Sequence, residues 1–333
     1  MTWQIVGHEW AVSLLRRQLA SGRVSHAYLL TGPPQIGETL LARRLAQALN
    51  CPGTDPPCGA GDCPACKRIE AGTHPDVRII RGEGVGDSLT IDQVRTLQRE
   101  AALFPYEGRN RVFILRRMDL ASTQAANALL KTLEEPPAHV VLVLTAVDAN
   151  ALPPTVLSRC QRLDLRPLPR GRIEAELRER GVDTDQARLL AGLSAGRIGW
   201  AIEAGKREGA VLNRRQRELD GMVRVLPACR IERLNLAQSL GRDRDPRASR
   251  ETLEIWAAWW RDLLLLSGRG DGPVVNVDRL AELSALARPE RLGEVWAAIR
   301  ALQDAAAQIE NNVSPRLALE GLLLKLPRWA AKD

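Results

Sequence analysis

The sequence contains no long apolar run. Its opening, Met1-Thr2-Trp3-Gln4-Ile5, lacks the basic-then-apolar pattern of a secretory leader. A membrane-spanning helix and a membrane partner are therefore not expected, and a cytoplasmic protein is. Histidine is scarce: there are four, and His8, His26, His74 and His139 do not cluster. That argues against a histidine-based catalytic centre and leaves His74 only as an alternative metal ligand. Lysine is rare beside arginine, which reflects base composition as easily as function. Cysteine is sparse too, but four of the six fall between Cys51 and Cys66.

What remains is ordinary for a globular chain. Of 333 residues, 45% are hydrophobic and 26% charged, enough for two or three domains. The net charge of +7 is modest and does not by itself imply nucleic acid. Most of it lies between Gly205 and Arg250, where 12 Lys and Arg face 6 Asp and Glu. Such a stretch suits DNA, an acidic partner or a merely solvated face. No aromatic interleaves with it, so base stacking is not expected there.

The chain is organised around Leu29-Leu30-Thr31-Gly32-Pro33-Pro34-Gln35-Ile36-Gly37-Glu38-Thr39. An apolar run precedes it and a helical pattern (Leu40 to Leu49) follows, the context of a phosphate-binding loop, G-x-x-x-x-G-K-T. Gly32, Gly37 and Thr39 stand where that loop needs backbone N–H groups for phosphate and a hydroxyl for magnesium. Glu38 stands where the lysine belongs. A unit charge about 4 Å from a phosphate oxygen is worth roughly 4 kcal/mol at an effective dielectric of about 20. Reversing its sign removes several powers of ten of affinity, so no tightly bound ATP is expected.

Cys51-x6-Cys58-x4-Cys63-x2-Cys66 follows, spaced by prolines and glycines. Four thiolates so close suit a tetrahedral, structural zinc ion, and reduced thiols in a surface loop are the plainer alternative. Short β-branched runs then alternate with helical periods. The strands are expected at 77–80, 111–115, 140–145 and 162–165. The helices are expected at 91–103 and after Ser122 up to Pro136-Pro137. This alternation predicts an α/β domain with a parallel sheet. The strand at 112–115 runs into Arg116-Arg117-Met118-Asp119. An ATPase of this layout carries acids there to hold magnesium and orient water. Two arginines occupy that place, and Asp119 comes two residues late. After Pro167-Leu168-Pro169 only helical periodicity remains, including Trp256, Trp259 and Trp260 on one stripe, suited to a core or to an interface.

Several motifs together resemble the clamp-loader subunits of bacterial DNA polymerase III. They are Asn127-Ala128-Leu129-Leu130-Lys131-Thr132-Leu133-Glu134-Glu135-Pro136-Pro137, the four-cysteine module after the first loop helix, Leu157-Ser158-Arg159-Cys160, and Asn312-Val313-Ser314-Pro315-Arg316-Leu317-Ala318-Leu319-Glu320. Two subunit types share this pattern. The gamma/tau motor type carries an intact lysine and acidic pair, whereas the delta-prime type often does not. Glu38, Arg116 and Arg117 align the chain with the delta-prime type.

The resemblance implies an AAA+ P-loop-like domain at 1–167 with the zinc module inserted at 51–66. It further implies a helical lid at 168–207 and a helical collar at 208–333 that forms hetero-oligomers. It implies that Arg159 acts as an arginine finger in the ATP site of a neighbouring motor subunit. Thr145 then corresponds to a polar sensor, or simply caps its strand. Arg197 corresponds to a second sensor, or pairs with an acid such as Glu38. Lys131 and Asn127 share a helix face that suits a neighbour, the DNA backbone or solvent. The implied partners are gamma/tau and delta subunits and, through the complex, the sliding clamp and primer-template DNA. An active gamma/tau-like ATPase is the alternative expectation, and a zinc-containing nucleic-acid-binding module acting alone is a third.

Overall fold

The computed structural model describes residues 3–53, 58, 63–83, 88–207, 209–241, 246–311 and 313–329. From the N-terminus it runs α1 (Glu9–Ala20), β1 (Ala27–Thr31), α2 (Glu38–Asn50), α3 (Pro64–Ala71), β2 (Val77–Ile80) and α4 (Ile91–Ala101). Then come β3 (Arg111–Leu115), α5 (Thr123–Glu134), β4 (Val140–Ala146), α6 (Pro154–Leu157) and β5 (Gln161–Asp164). The strands form one parallel sheet in the order β2-β3-β4-β1-β5. The expected α/β architecture is therefore present. The helix after the loop starts at Glu38, two residues earlier than the apolar period suggests, because Gly37 at φ 114° supplies its N-cap.

The strands read as unbroken apolar runs because both faces of the sheet are covered. Ala27, Leu29, Phe113, Leu115, Leu142 and Leu144 share a core with Val94 and Leu97 of α4 and Leu129 and Leu133 of α5. Tyr28, Leu30, Val112, Ile114, Val141 and Val143 alternate with them and are also buried. α2 contacts β1, β3 and β4. Truncating one such side chain, for example Leu142→Ala, costs about 2–5 kcal/mol.

The covering helices have well-defined starts. Thr90 and Gln93 form a reciprocal capping box on α4. The Ser122 hydroxyl accepts the Ala125 N–H at the start of α5.

Helices follow: α7 (Arg170–Glu179), α8 (Thr184–Leu193), α9 (Ile198–Lys206), α10 (Ala210–Val225), α11 (Arg230–Leu240), α12 (Pro246–Ser267), α13 (Leu280–Leu286), α14 (Leu292–Glu310) and α15 (Pro315–Lys325). The chain divides into two compact units, Met1–Glu176 with Ala195–Trp200, and Leu177–Ser194 with Ala201–Asp333. The segment 168–207, expected as a lid, is shared between them. Pro167-Leu168-Pro169 is packed rather than a free linker. Leu168 is buried, and its N–H donates to the Gly196 carbonyl.

Among the described residues the second unit has no strand. Trp256, Trp259 and Trp260 are fully buried in its core with Leu219, Met222 and Leu319, so the tryptophan stripe packs inside the chain. Arg233, also buried, donates to the Leu226, Leu323, Leu326 and Pro327 carbonyls. It thereby ties the orphan C-terminal carbonyls of α10 and α15 together. Pro315 starts α15 at a position that needs no N–H. Asn312 of the expected closing motif and residues 208 and 242–245 of the basic stretch lie outside the described residues.

Candidate functional site

The expected nucleotide-handling residues gather at the C-terminal edge of the parallel sheet, where ligands of open α/β sheets bind. Register places Leu30 beside Thr145 and Leu115 beside Leu144, so the loop after β1, the end of β3 and the end of β4 are neighbours. The loop is held tightly. A Cβ on Gly32 would lie 2.6 Å from the Leu165 carbonyl oxygen, so only glycine fits there. Buried His8 approaches the Ile36 carbonyl through Nε2 at 3.0 Å. The Gly199 N–H of α9 donates to the Gln35 carbonyl at 2.9 Å, and a Cβ at Gly199 would meet that oxygen at 2.7 Å. Neither His8 nor Gly199 was visible as a loop partner in the sequence. Each is far from the loop along the chain and lacks any local signal.

Glu38 occupies the first helical position of α2, where a carboxylate favours the helix dipole. Its Oε2 accepts the N–H of Gly37 at 3.2 Å. A donor that a phosphate-binding loop aims at its ligand is thus taken by the chain's own carboxylate. The Thr39 hydroxyl oxygen is buried with no hydrogen-bond partner. The loop thus keeps its strand–loop–helix setting, with the Glu38 carboxylate at its mouth.

The end of β3 is equally committed. The Arg117 backbone adopts φ 56°, and its N–H donates to Thr145 Oγ1 at 3.1 Å. Its guanidinium grips Asp119 through Nε and Nη2, the latter at 2.8 Å. Asp119 Oδ1 also accepts the Val147 N–H at 3.2 Å. Both carboxylate oxygens are engaged, so the one acid near this strand end braces a turn. Thr145, buried on β4, serves that same turn. A pairing not read from the sequence lies alongside: the Thr31 hydroxyl donates to Asp164 on β5. Burial raises the Asp164 pKa, but this bond and Arg162 outweigh it and hold the carboxyl below its ordinary value. Arg197 precedes α9 and lies over the Trp200 ring, 5.8 Å from its centroid.

Arg159 sits elsewhere. It lies between α6 and β5, and parallel strand β5 begins at the sheet edge opposite the loop. The strand alone accounts for about 13 Å of separation. Arg159 donates to the Thr155 carbonyl at 2.8 Å and pairs with Glu134 at 2.8 Å, with a third of its side chain exposed. It is therefore on the outside of its own domain and out of reach of its own loop. Lys131 and Asn127 are exposed on α5.

The four cysteines do converge. The Cys51 and Cys63 sulfurs lie 3.9 Å apart, those of Cys58 and Cys66 lie 3.8 Å apart, and all four fall within 4.8 Å of one another. A tetrahedron of sulfurs with Zn–S bonds of about 2.3 Å has edges of about 3.8 Å. Backbone N–H groups of Gly53, Cys58, Cys63 and Cys66 point at three of the sulfurs, as thiolates require. The N–H of Cys63 draws the Cys58 thiol down to about 7, while burial pushes those of Cys51 and Cys66 up. The donor set fits zinc, which would be held by Cys51, Cys58, Cys63 and Cys66 with no open position. His74 instead accepts the Asp76 N–H through Nδ1, so it is not part of this group. Buried Gln47 of α2 donates to the Cys66 carbonyl at 3.0 Å and fastens the module to the sheet domain.

Comparison with known proteins bears on this arrangement. Residues 7–169 match the family described as DNA polymerase III, delta subunit. The chain is 38% identical over 175 residues to DNA polymerase III subunit tau of Salmonella typhimurium, covering 52% of this chain and 26% of that protein. It is 32% identical over 220 residues to DNA polymerase III subunit delta' of Pseudomonas aeruginosa, covering 66% of this chain and 67% of that one. A solved gamma subunit-related protein from Thermotoga maritima is similar at TM-score 0.49 and 18% identity, over 94% of this chain and 97% of its own.

Proposed function

Since the chain belongs to the DNA polymerase III delta-subunit family of clamp-loader proteins, we propose that it is a non-hydrolysing, delta-prime-type subunit of a clamp-loader complex. In that complex it supplies Arg159 to the ATP site of a neighbouring gamma/tau-type subunit and handles no ATP itself. The observation that carries this reading is the Glu38 carboxylate on the Gly37 N–H. An anion already occupies part of the phosphate cradle. The tied Asp119 removes the metal and water chemistry as well. The location of Arg159 supports a role in trans. An arginine delivered to the γ-phosphate of a neighbour stabilises charge developing in the transition state, worth roughly 10³–10⁵ in rate in well-studied cases.

The remaining parts follow from this assignment. Residues 1–167 form the AAA+ P-loop-like domain with its zinc module, 168–207 the lid, and 208–333 the collar that joins gamma/tau and delta subunits. The assembled complex loads the sliding clamp onto primer-template DNA in the cytoplasm, as part of the DNA polymerase III holoenzyme. Zinc is structural. No helix among the described residues is long and apolar enough to cross a membrane.

A second reading, an active gamma/tau-type ATPase, draws on the 38% identity to a tau subunit. The deciding experiment is DNA-stimulated ATP turnover by a motor subunit mixed with this chain, wild type against Arg159→Ala. Stimulation by the wild type, lost in a mutant that still assembles, supports the finger. Equal turnover by both in an intact assembly overturns it. Hydrolysis by the chain alone establishes the second reading.

A further inference from the structure

Strand β2 is an outer strand of the sheet, unpaired on its far side among the described residues, and that edge borders a groove of about 530 Å³. That volume lies within the range of ligand sites, about 300–1,000 Å³. The groove's opposite wall is the C-terminal end of α3 and the loop after it, from Ile69 to Pro75. The Val112 N–H donates to the Asp76 carbonyl and the Arg116 N–H to that of Ile80, so the even-numbered residues of β2 face β3. Ile79 therefore turns its N–H and C=O outward, into the groove. The outward Val77 N–H is already taken by the His74 carbonyl and the Arg81 carbonyl by Gln93 Nε2, so among the described residues Ile79 carries the unpaired backbone groups of this edge, and such groups are a template for another strand.

The groove's charge says which strand. Arg43, Arg78 and Arg81 line it against one acid, Glu70. Glu70 is shared by Arg43 and Arg44, so it neutralises only one of them. Arg78 pairs with Glu100. The Arg81 guanidinium makes no ion pair among the described residues, and the Arg43 Nε is buried without a partner. His74 in the same wall is held below its ordinary pKa by burial, so it adds no charge near neutrality. The surplus is positive. Two copies of this edge would bring arginines against arginines, which disfavours self-pairing.

We propose that the free edge of β2 is a docking site for an acidic, extended segment of another protein, added to the sheet as a further strand. Backbone bonds to Ile79 would supply affinity and carboxylates facing Arg81 and Arg43 would supply selectivity. This inference does not depend on the clamp-loader assignment.

The test uses the full chain and a fluorescently labelled peptide of alternating glutamate and valine, about ten residues long, read by anisotropy. A lysine-valine counterpart is the control. Saturable binding of the glutamate peptide and none of the lysine peptide is expected. Arg81→Glu, an exposed change that leaves the fold intact, is expected to weaken binding about tenfold or more. Ile79→Pro removes the outward N–H but spares the pairing with β3, because proline is tolerated on an edge strand. It is expected to abolish binding at an unchanged melting temperature. If Ile79→Pro unfolds the chain, Arg81→Glu decides alone. Equal binding of both peptides, or binding indifferent to Arg81→Glu, overturns the proposal. Displacement of the peptide by a single-stranded oligodeoxynucleotide, with the same loss in Arg81→Glu, would assign the groove to phosphate and overturn it too.

Discussion

Arg159 and Glu134 form an ion pair, Nη2 to Oε1 at 2.8 Å, at the sheet edge opposite the loop 32–37. Glu134 ends α5 and Arg159 precedes β5, so two separate motifs of the sequence meet here. Both side chains are partly in water, at 34% and 49% exposure, and such pairs contribute about 0–1 kcal/mol. Arg159→Ala should therefore change the unfolding free energy by less than about 1 kcal/mol. Urea denaturation checks this. A loss well above that range would mean that Arg159 is a structural residue, and that lost ATPase stimulation in the mutant reflects damage.

The same geometry separates the two partners. Glu134→Gln frees the guanidinium without removing it. In a reconstituted complex this variant should retain DNA-stimulated turnover where Arg159→Ala loses it. Parallel losses in both would make the pair, rather than the arginine, the working unit.

Glu38 gives the sharpest chemical prediction. Glu38→Lys frees the Gly37 N–H and replaces repulsion by attraction at the phosphates. With each charge worth roughly 4 kcal/mol at close range before solvent screening, nucleotide affinity should rise by orders of magnitude. Turnover should not follow, because Asp119 remains bound to Arg117 and the Val147 N–H. Titration calorimetry with Mg-ATP and a phosphate-release assay read the two halves separately. A wild type that already binds ATP at micromolar concentration would show that the Glu38 bond opens readily.

The cysteine cluster predicts a thiol count. Burial pushes Cys160 up to about 12, so its thiol should resist alkylation near pH 8. Cys229 is exposed and should react at once. The native chain is expected to carry one zinc per molecule by elemental analysis. A chelator should release it and expose Cys51, Cys58, Cys63 and Cys66 to reagent. Prompt modification of those four before chelation would argue against a closed metal site.

Much of this was legible in the sequence because it is local. The strands announced themselves as short apolar runs, Ser122 as a cap, and the cysteines by spacing. Glu38 was readable as a charge reversal within a fixed pattern. What the sequence does not reveal depends on chain segments brought together only by folding. His8 meets Ile36, Gly199 meets Gln35, and Asp164 meets Thr31, none with a periodic or motif signal. The start of α2 differs from the apolar period because apolar spacing marks a helix's buried face, while Gly37 and Glu38 mark its end. Pro167-Leu168-Pro169 looks like a linker by composition, yet Leu168 fills space against Gly7.

Asp76 shows how such a contact governs stability, and it makes the result pH-dependent. Its buried carboxylate accepts the N–H groups of Tyr106, Glu107 and Gly108 at 2.7, 2.9 and 2.8 Å, with Arg111 nearby. Burial alone would raise its pKa. The three N–H groups and Arg111 outweigh burial and hold it below the ordinary value. A group depressed in the folded state stabilises the fold above its unfolded pKa of about 3.9, and that contribution fades as pH falls through the folded value. Asp76→Asn keeps the shape but turns an amide NH₂ toward donors, so it should cost about 2–4 kcal/mol at pH 7. The difference between wild type and mutant should shrink below about pH 4, as protonation does to the wild type what the mutation does at every pH. Urea midpoints measured from pH 7 down to the acid limit of the fold would show the two curves converging. A gap that stays constant with pH would mean that the Asp76 charge contributes nothing, and that only its shape holds the 106–108 turn.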